Sequence, residues 1–314
     1  MSAAIASSSE LVTSLDTVVR VDSYSDVAEK SHLISLLREG GFYRLASDVA
    51  RCHAEFRVLR CGNGHRFKPV PTYHCHYRLC VDCARDRQRR AFSRLMPVLR
   101  AHQRRYRFDR PVLITLTARS TFDPLAMQDK RFKAWFARLR RTVKWQQCIR
   151  GAVAAFEFTW DAEKGWHYHI HVLAFRKAWY DHAELSQQWL RITEGAGEIV
   201  DIQSKGSLKT MAEEVTKYCF KPADIGVKGA QNKRWTAEQV AEVNRLRRVK
   251  LSECYGSLRG FVLDADDHEA EAANAPPADP HDDLVFGSPC PDCGAPLTFE
   301  TVPRSALLSP VDST

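Results

Sequence analysis

The most regular hydrophobic pattern in the chain predicts a β-hairpin between Gly151 and Phe175. In its first half, Phe156, Phe158 and Trp160 fall on one face of a strand, and Glu157 falls on the other. The second half carries three histidines on one face and apolar residues on the opposite face. The turn 161–165 between the halves is short enough for a hairpin. Pairing of Trp160 with the residue that follows Gly165 would set Glu157 opposite the middle histidine.

The same reasoning predicts an α+β fold in which helices flank an antiparallel sheet. The β-branched run Pro111–Thr117 predicts a buried central strand, and Asp123 begins a long amphipathic helix. Pro97 is expected to bend or divide a basic helix over 85–107. Further elements are predicted as helices over 31–50, 180–191, 208–221 and 236–251, and as a strand over 198–203.

The histidine face is a candidate metal site. His167, His169 and His171 share that face, and imidazole is a frequent ligand of divalent ions. The predicted register brings Glu157 against them, so a carboxylate and two imidazoles converge. A surface row of histidines on a half-exposed strand is the alternative.

A second candidate site lies on the helix over 208–221. Glu214 precedes Tyr218 by four residues and Lys221 follows it by three, so the three side chains project from one helical face. A solvated face with an exposed tyrosine is the alternative interpretation.

Ten cysteines without a secretory signal favour metal binding over disulfides. Cys80 and Cys83 form a Cys-x-x-Cys pair, and Cys75 and Cys61 can complete a tetrahedral thiolate site that suits a structural zinc ion. The alternatives for the fourth ligand are His65, His74 and His76. Unligated core thiols are the other alternative. Cys290 and Cys293 form a further pair that borrows distant ligands, binds metal between two chains, or binds nothing.

Charge and hydropathy indicate a partner and a compartment. The net charge is +8, although 264–283 is acidic and has no Lys or Arg. A basic body with interspersed aromatic residues indicates a polyanion, most simply nucleic acid, although a solvated basic surface is the alternative. The segments 85–110 and 228–250 are the candidate DNA-binding regions, the first through Arg85, Arg87, Arg89 and Arg90. No apolar run is long enough to cross a bilayer, so we expect a cytoplasmic protein without a membrane partner.

The composition divides the chain into five predicted segments. They are a partly disordered N-terminal extension (1–55), a zinc-binding and basic helical segment (56–100), a domain that carries both candidate sites and has a basic helical end (101–262), an acidic linker (263–289) and a C-terminal Cys pair with its tail (290–314).

The order of these motifs resembles the plasmid rolling-circle replication initiators, the Rep proteins of the HUH endonuclease superfamily. The resemblance rests on the strand Leu113–Thr117, then His167–Val172, then Glu214–Lys221, and covers roughly 56–225. It implies a nickase that starts plasmid or phage replication, joins and rejoins DNA through a 5′-phosphotyrosine, and uses Mg²⁺ or Mn²⁺.

The resemblance also implies roles for individual residues. His169 and His171 would be paired metal ligands and Tyr218 the single nucleophile, while Glu214 matches a residue that activates water for the terminating cleavage. The third metal ligand stays open between Glu157 and His167. Lys221 would stabilise the phosphate or lower the pKa of the tyrosine.

The expected partners are origin DNA, single-stranded at the nick, a host helicase and replication proteins, with a homodimer possible. A single-tyrosine transposase or a relaxase is an alternative, although no G-x-x-x-x-G-K-[ST] helicase motif occurs. A non-catalytic zinc-dependent DNA-binding regulator is the alternative of a different class.

Overall fold

The computed structural model describes residues 24–204, 206–220, 234–246, 249–263 and 286–308. The predicted acidic linker therefore lies almost entirely outside the described residues, as does Lys221. The nine helices in this part of the chain are α1 (Tyr24–Glu39), α2 (Tyr43–Arg51), α3 (Val81–Arg105), α4 (Leu125–Arg140), α5 (Val143–Cys148), α6 (His182–Ile192), α7 (Leu208–Phe220), α8 (Ala237–Arg245) and α9 (Arg304–Leu308). The strands are β1 (Glu55–Cys61), β2 (Arg66–Pro71), β3 (Arg110–Ala118), β4 (Ile149–Asp161), β5 (Gly165–Arg176), β6 (Gly197–Gln203), β7 (Ser252–Gly256) and β8 (Leu297–Pro303).

The prediction of an α+β fold with antiparallel sheets and flanking helices is confirmed. Five strands form one sheet in the order β6-β3-β5-β4-β7, and three form another in the order β2-β1-β8. Every pair of neighbouring strands is antiparallel. Strand β3 lies in the interior of the large sheet, as its continuous apolar run predicts.

The predicted register of the β4–β5 hairpin is confirmed. Trp160 pairs with Trp166, and Glu157 pairs with His169. Gly165 holds a positive φ of 84° at the end of the turn, a conformation that favours glycine. The backbone of Trp166 also exchanges two hydrogen bonds with Thr121, of 2.8 and 3.0 Å, so the hairpin end is fixed from both sides.

The two faces of the large sheet are covered by different helices. One apolar face packs in a core with residues from α1, α2, α4, α6 and α8. The other face packs against α3 and α7, where Met211 and Val215 of α7 are buried beside Leu173 and Phe175 of β5. Each buried side chain of this size contributes roughly 1.5–3 kcal/mol. Since the histidines have the same strand parity as Leu173 and Phe175, α7 is held over the histidine face.

Helix α3 is not divided at Pro97, so that alternative of the prediction is wrong. It continues through Pro97 as one element of 25 residues. Proline removes one backbone hydrogen bond inside a helix. Leu95 and Leu99 are buried on either side of the proline in one core, and this packing outweighs that loss.

The first predicted segment contributes to the core. The single predicted helix over 31–50 is two helices, separated where Gly41 takes a φ of 78°. Leu33, Leu37 and Val49 of these helices are fully buried in the main core.

The small sheet joins regions that the sequence analysis assigned to separate segments. Strand β1 pairs with β8 along its whole length, from Glu55 opposite Pro303 to Cys61 opposite Leu297. Strands that precede and follow the large sheet in the sequence therefore pair with each other in the small sheet. None of the helices among the described residues has the length and apolar character needed to span a membrane.

Candidate functional site

The three histidines of β5 form a row on the face that α7 covers. His171 is buried, while His167 and His169 are half-buried. The rings of His169 and His171 are nearly parallel, with 8° between their planes and centroids 5.8 Å apart. The rings of His167 and His169 lie closer, at 4.2 Å.

Glu157 reaches the histidine row from β4. Its backbone is opposite His169, yet its Oε2 lies 3.0 Å from Nε2 of His171, one step along the strand. The carboxylate and one imidazole are therefore already in contact, while the convergence with a second imidazole stays a prediction, because no compact ligand group among the described residues contains Glu157, His169 and His171.

Thr115 is a residue that the sequence analysis did not single out. It pairs with His171 across β3 and β5, and its Oγ1 lies 3.2 Å from Nδ1 of His171. A partner on one ring nitrogen fixes the orientation of the imidazole and directs the other nitrogen. The period of two in β3 was the available signal, because it puts Thr115 on the face that a neighbouring histidine strand shares.

Tyr218 of α7 stacks on the histidine row. Its ring lies parallel to that of His171, with centroids 3.6 Å apart and 11° between the planes. Its hydroxyl interacts with the side chain of Glu214, one helical turn earlier. The two candidate sites of the sequence analysis therefore form one site.

Lys217 is a cation of this site that the sequence analysis did not assign. Its Nζ lies 3.5 Å from both carboxylate oxygens of Glu214 and 5.5 Å from the centre of the Tyr218 ring. The i, i+3 spacing from Glu214 was the signal that could have identified it.

The electrostatics of the site keep Tyr218 protonated. Burial, then the charge of Glu214 and its hydrogen bond, then the charge of Glu157 raise the pKa of Tyr218 to about 12. Each of these effects disfavours the phenolate. Two carboxylates lie beside the phenol, so a cation at this site would offset their charge.

The donor set suits a divalent ion that keeps open coordination positions. Two imidazoles and a carboxylate are nitrogen and oxygen ligands, which suit Mn²⁺ or Mg²⁺, whereas thiolate ligands suit zinc. Among the described residues, three other groups are compact enough to hold an ion as they stand, and the set of Glu157, His169 and His171 is not one of them. The fit of this set therefore rests on the Glu157–His171 contact and on the common face.

The Cys-x-x-Cys pair belongs to a buried cluster of four thiols, with one correction. The fourth sulfur beside Cys75, Cys80 and Cys83 is that of Cys52, and the prediction of Cys61 was wrong. The Sγ of Cys83 lies 3.4 Å from the Sγ of Cys52 and 3.7 Å from the Sγ of Cys75. The reason is that β1 runs between the two cysteines and carries Cys61 to its far end.

His65 and His74, two of the alternative fourth ligands, belong to other groups. His65 meets Cys61, Cys290 and Cys293. Nε2 of His74 lies 3.2 Å from Oδ2 of Asp86. His76 is in none of the three compact groups found among the described residues.

The four arginines of α3 occupy different environments. Arg87 is half-buried and donates to the backbone carbonyls of Cys83, Tyr77 and Arg78, so it supports the cysteine loop. Arg85 and Arg89 are exposed, and Arg90 is half-buried.

The chain is similar to known replication proteins over the region that contains the candidate site. The family model described as "Replication protein" (Rep_1) matches residues 67–276, which include the histidine strand and α7. The chain is 27% identical over 201 residues to "Protein rep" of Lentilactobacillus hilgardii, a match that covers 58% of this chain and 64% of that relative. It is 28% identical over 202 residues to "Protein rep" of Lactiplantibacillus plantarum, covering 58% of this chain and 63% of that relative.

The chain thus spans less than two thirds of the length of these relatives. No solved structure matches it. The family match extends over most of the chain and contains the histidine row, Glu157 and Tyr218. The chain belongs to the Rep_1 replication protein family.

Proposed function

We propose that this protein is a rolling-circle replication initiator that nicks and rejoins one DNA strand at a plasmid or phage origin, with Tyr218 as the nucleophile. The observation that carries the proposal is the parallel contact of Tyr218 with His171, whose ring centroids are 3.6 Å apart. This contact would bring the proposed nucleophile on a helix against the proposed metal ligands on a sheet. A tyrosine that only filled space would not need a row of histidines and a carboxylate beneath it.

In the proposed reaction the Tyr218 oxygen attacks the phosphorus of the scissile phosphodiester. A tyrosine–phosphate bond forms to the 5′ side, the bond to the 3′ oxygen breaks, and that oxygen leaves as a hydroxyl after gaining a proton. The phenol proton passes to solvent. The phosphotyrosine preserves the bond energy, so the strand can be rejoined without ATP.

His169, His171 and Glu157 would hold the Mg²⁺ or Mn²⁺ ion, which when bound withdraws charge from the scissile phosphate and orients it for in-line attack. The contact of Glu157 with His171 favours Glu157 over His167 as the third ligand. Thr115 positions the His171 ring, and Lys217 adds positive charge on the side of Glu214.

Glu214 is proposed as the base that activates water for the terminating cleavage. Its charge raises the pKa of Tyr218, so it does not favour the first attack. Once the phenol oxygen carries the phosphate, it no longer donates a hydrogen bond. Glu214 can then accept one from a water molecule at the same place.

The cluster of Cys52, Cys75, Cys80 and Cys83 is proposed to bind a structural zinc ion, since four thiolates leave no open position for chemistry. Arg85, Arg89 and Arg90 remain the proposed phosphate contacts on α3, with Arg89 already paired to Asp86. Arg87 is a weaker candidate because it already donates to three backbone carbonyls. The helicase and replication partners, the homodimer and the five-segment organisation stay predictions.

The experiment uses 3′-labelled single-stranded oligonucleotides tiled across the DNA that carries the coding sequence, with Mn²⁺. Because the protein would stay on the 5′ phosphate, only the 3′ fragment should migrate with protein on a denaturing gel. Tyr218→Phe should abolish the adduct and retain DNA binding. The matched control is Tyr43→Phe, which changes an exposed tyrosine outside the site.

Two results would contradict the proposal. One is cleavage by Tyr218→Phe at the wild-type rate, which would indicate a water nucleophile. The other is a wild-type protein that binds the DNA without cutting any oligonucleotide of the set, as the non-catalytic regulator would.

A further inference from the structure

A second cluster of metal-ligand side chains lies in the small sheet, away from the nickase site. Cys61, His65, Cys290 and Cys293 place three sulfurs and one imidazole nitrogen within 4.8 Å of one another. The Sγ of Cys61 lies 3.4 Å from Nδ1 of His65 and 3.6 Å from Sγ of Cys293. Nδ1 of His65 lies 3.6 Å from Sγ of Cys290.

These separations are those of a tetrahedral zinc site. With Zn–S bonds of about 2.3 Å and Zn–N bonds of about 2.0–2.1 Å, the edges of a tetrahedron are about 3.8 Å between sulfurs and about 3.6 Å between sulfur and nitrogen. A disulfide would instead bring two sulfurs to about 2.05 Å. All four cysteine and histidine side chains therefore surround a volume that one ion would fill.

The backbone supplies two tight turns that aim the ligands at this volume. In the first turn, Gly64 takes a φ of 88° and donates to the carbonyl of Cys61 over 3.0 Å. In the second turn, Gly294 takes a φ of 74° and donates to the carbonyl of Cys290 over 2.8 Å. Pairs of ligands separated by two or three residues on such turns are typical of structural zinc sites.

The apolar cluster around these ligands is small. It consists of Cys61, Cys290 and Leu297, with Leu59 and Ala295 packed at its edge. A three-stranded sheet needs a substantial hydrophobic face for stability, and small units that lack one depend on a metal ion or disulfides. Two of the three fully buried core residues are the proposed ligands, which is what a metal-centred core requires.

We propose that Cys61, His65, Cys290 and Cys293 bind a second structural zinc ion, which fastens the C-terminal strand β8 to the β1–β2 hairpin. The ion would join cysteines that are 232 positions apart in the sequence. All four ligands lie outside residues 67–276, the region that the family model matches. The site therefore lies apart from the matched region, and it is independent of the cluster that contains Cys52.

The test measures the zinc content of the full-length chain by elemental analysis and native mass spectrometry. The wild type should hold two zinc ions and have no disulfide. The double variant Cys290→Ser, Cys293→Ser should hold one. The matched control is Cys254→Ser, because Cys254 lies outside the compact clusters of the described residues. This variant should hold two zinc ions.

A second variant gives a gain of signal that does not depend on losing the site. His65→Cys converts the cluster to four thiolates, and the Co²⁺-substituted protein should show stronger thiolate-to-cobalt absorption, from eight rather than seven sulfurs. Retention of the full wild-type zinc content by the Cys290→Ser, Cys293→Ser variant would overturn the proposal. So would a native Cys290–Cys293 disulfide, or an unchanged cobalt spectrum in His65→Cys.

Discussion

Thr115→Val tests whether the orientation of His171 controls metal use in the proposed nickase. The substitution keeps the branched shape that suits strand β3 and removes the hydroxyl that lies 3.2 Å from Nδ1 of His171. A hydrogen bond of this kind contributes about 1 kcal/mol, or about fivefold in an equilibrium constant. Loss of an outer partner of a metal-bound histidine typically costs about 10–100-fold.

We therefore expect Thr115→Val to need about five- to tenfold more Mn²⁺ for half-maximal nicking. The assay is a Mn²⁺ titration of oligonucleotide cleavage, with thermal unfolding measured in parallel. Thr115→Ser retains the hydroxyl and should behave as the wild type. Thr159→Val is the matched control, because Thr159 pairs with His167 at the other end of the row. An unchanged Mn²⁺ requirement in Thr115→Val would refute the positioning role.

Four further substitutions test termination and stability. Glu214→Ala should nick normally and terminate poorly in a plasmid replication assay, and normal termination would remove its proposed role as the base for water. Gly165→Ala should lower the free energy of unfolding by more than about 2 kcal/mol, since the added Cβ would combine positive-φ strain with a contact of 2.3 Å to backbone. Gly195→Ala, with positive φ and open space around it, should cost about 1 kcal/mol in the same denaturant titration, and equal costs would show that the contact does not matter. Tyr168→Phe should cost about 1.5–3 kcal/mol because it leaves the buried carboxylate of Asp129 without a 2.5 Å hydrogen bond, and a smaller change in thermal unfolding would count against that cost.

The hairpin was predictable because its information is local. The period of two fixes which residues share a face, and the short turn fixes the register, so the sequence pattern is enough to set Glu157 opposite His169. The side chain of Glu157 then selects His171, because rotamer choice depends on neighbours from β3 and α7 that the sequence does not position.

The cysteine sites were only partly predictable because their ligands come from distant segments. Cys80 and Cys83 are recognisable by spacing, but Cys52 and Cys61 both precede Cys75. They differ in that Cys52 lies before β1, whereas Cys61 is the last residue of β1. Nothing local reveals that β1 pairs with β8, which follows it by more than 200 residues. That pairing decides which cluster Cys61 joins.

Tertiary packing also determines features that local sequence signals do not predict. Proline inside 85–107 favoured a break, yet apolar residues on both sides of Pro97 face one core and keep α3 whole. The position of Tyr218 over the histidines depends on the burial of Met211 and Val215, a contact between elements that the helical spacing of α7 permits but does not determine.

The central claim is that the phenol oxygen of Tyr218 becomes joined to DNA. The most direct measurement is tandem mass spectrometry of protease-digested protein after reaction with a cleavable single-stranded oligonucleotide and Mn²⁺. The account predicts one modified peptide, with the nucleotide phosphate on Tyr218. Attachment to another residue, or cleavage products with 5′ phosphates and no modified peptide, would contradict it.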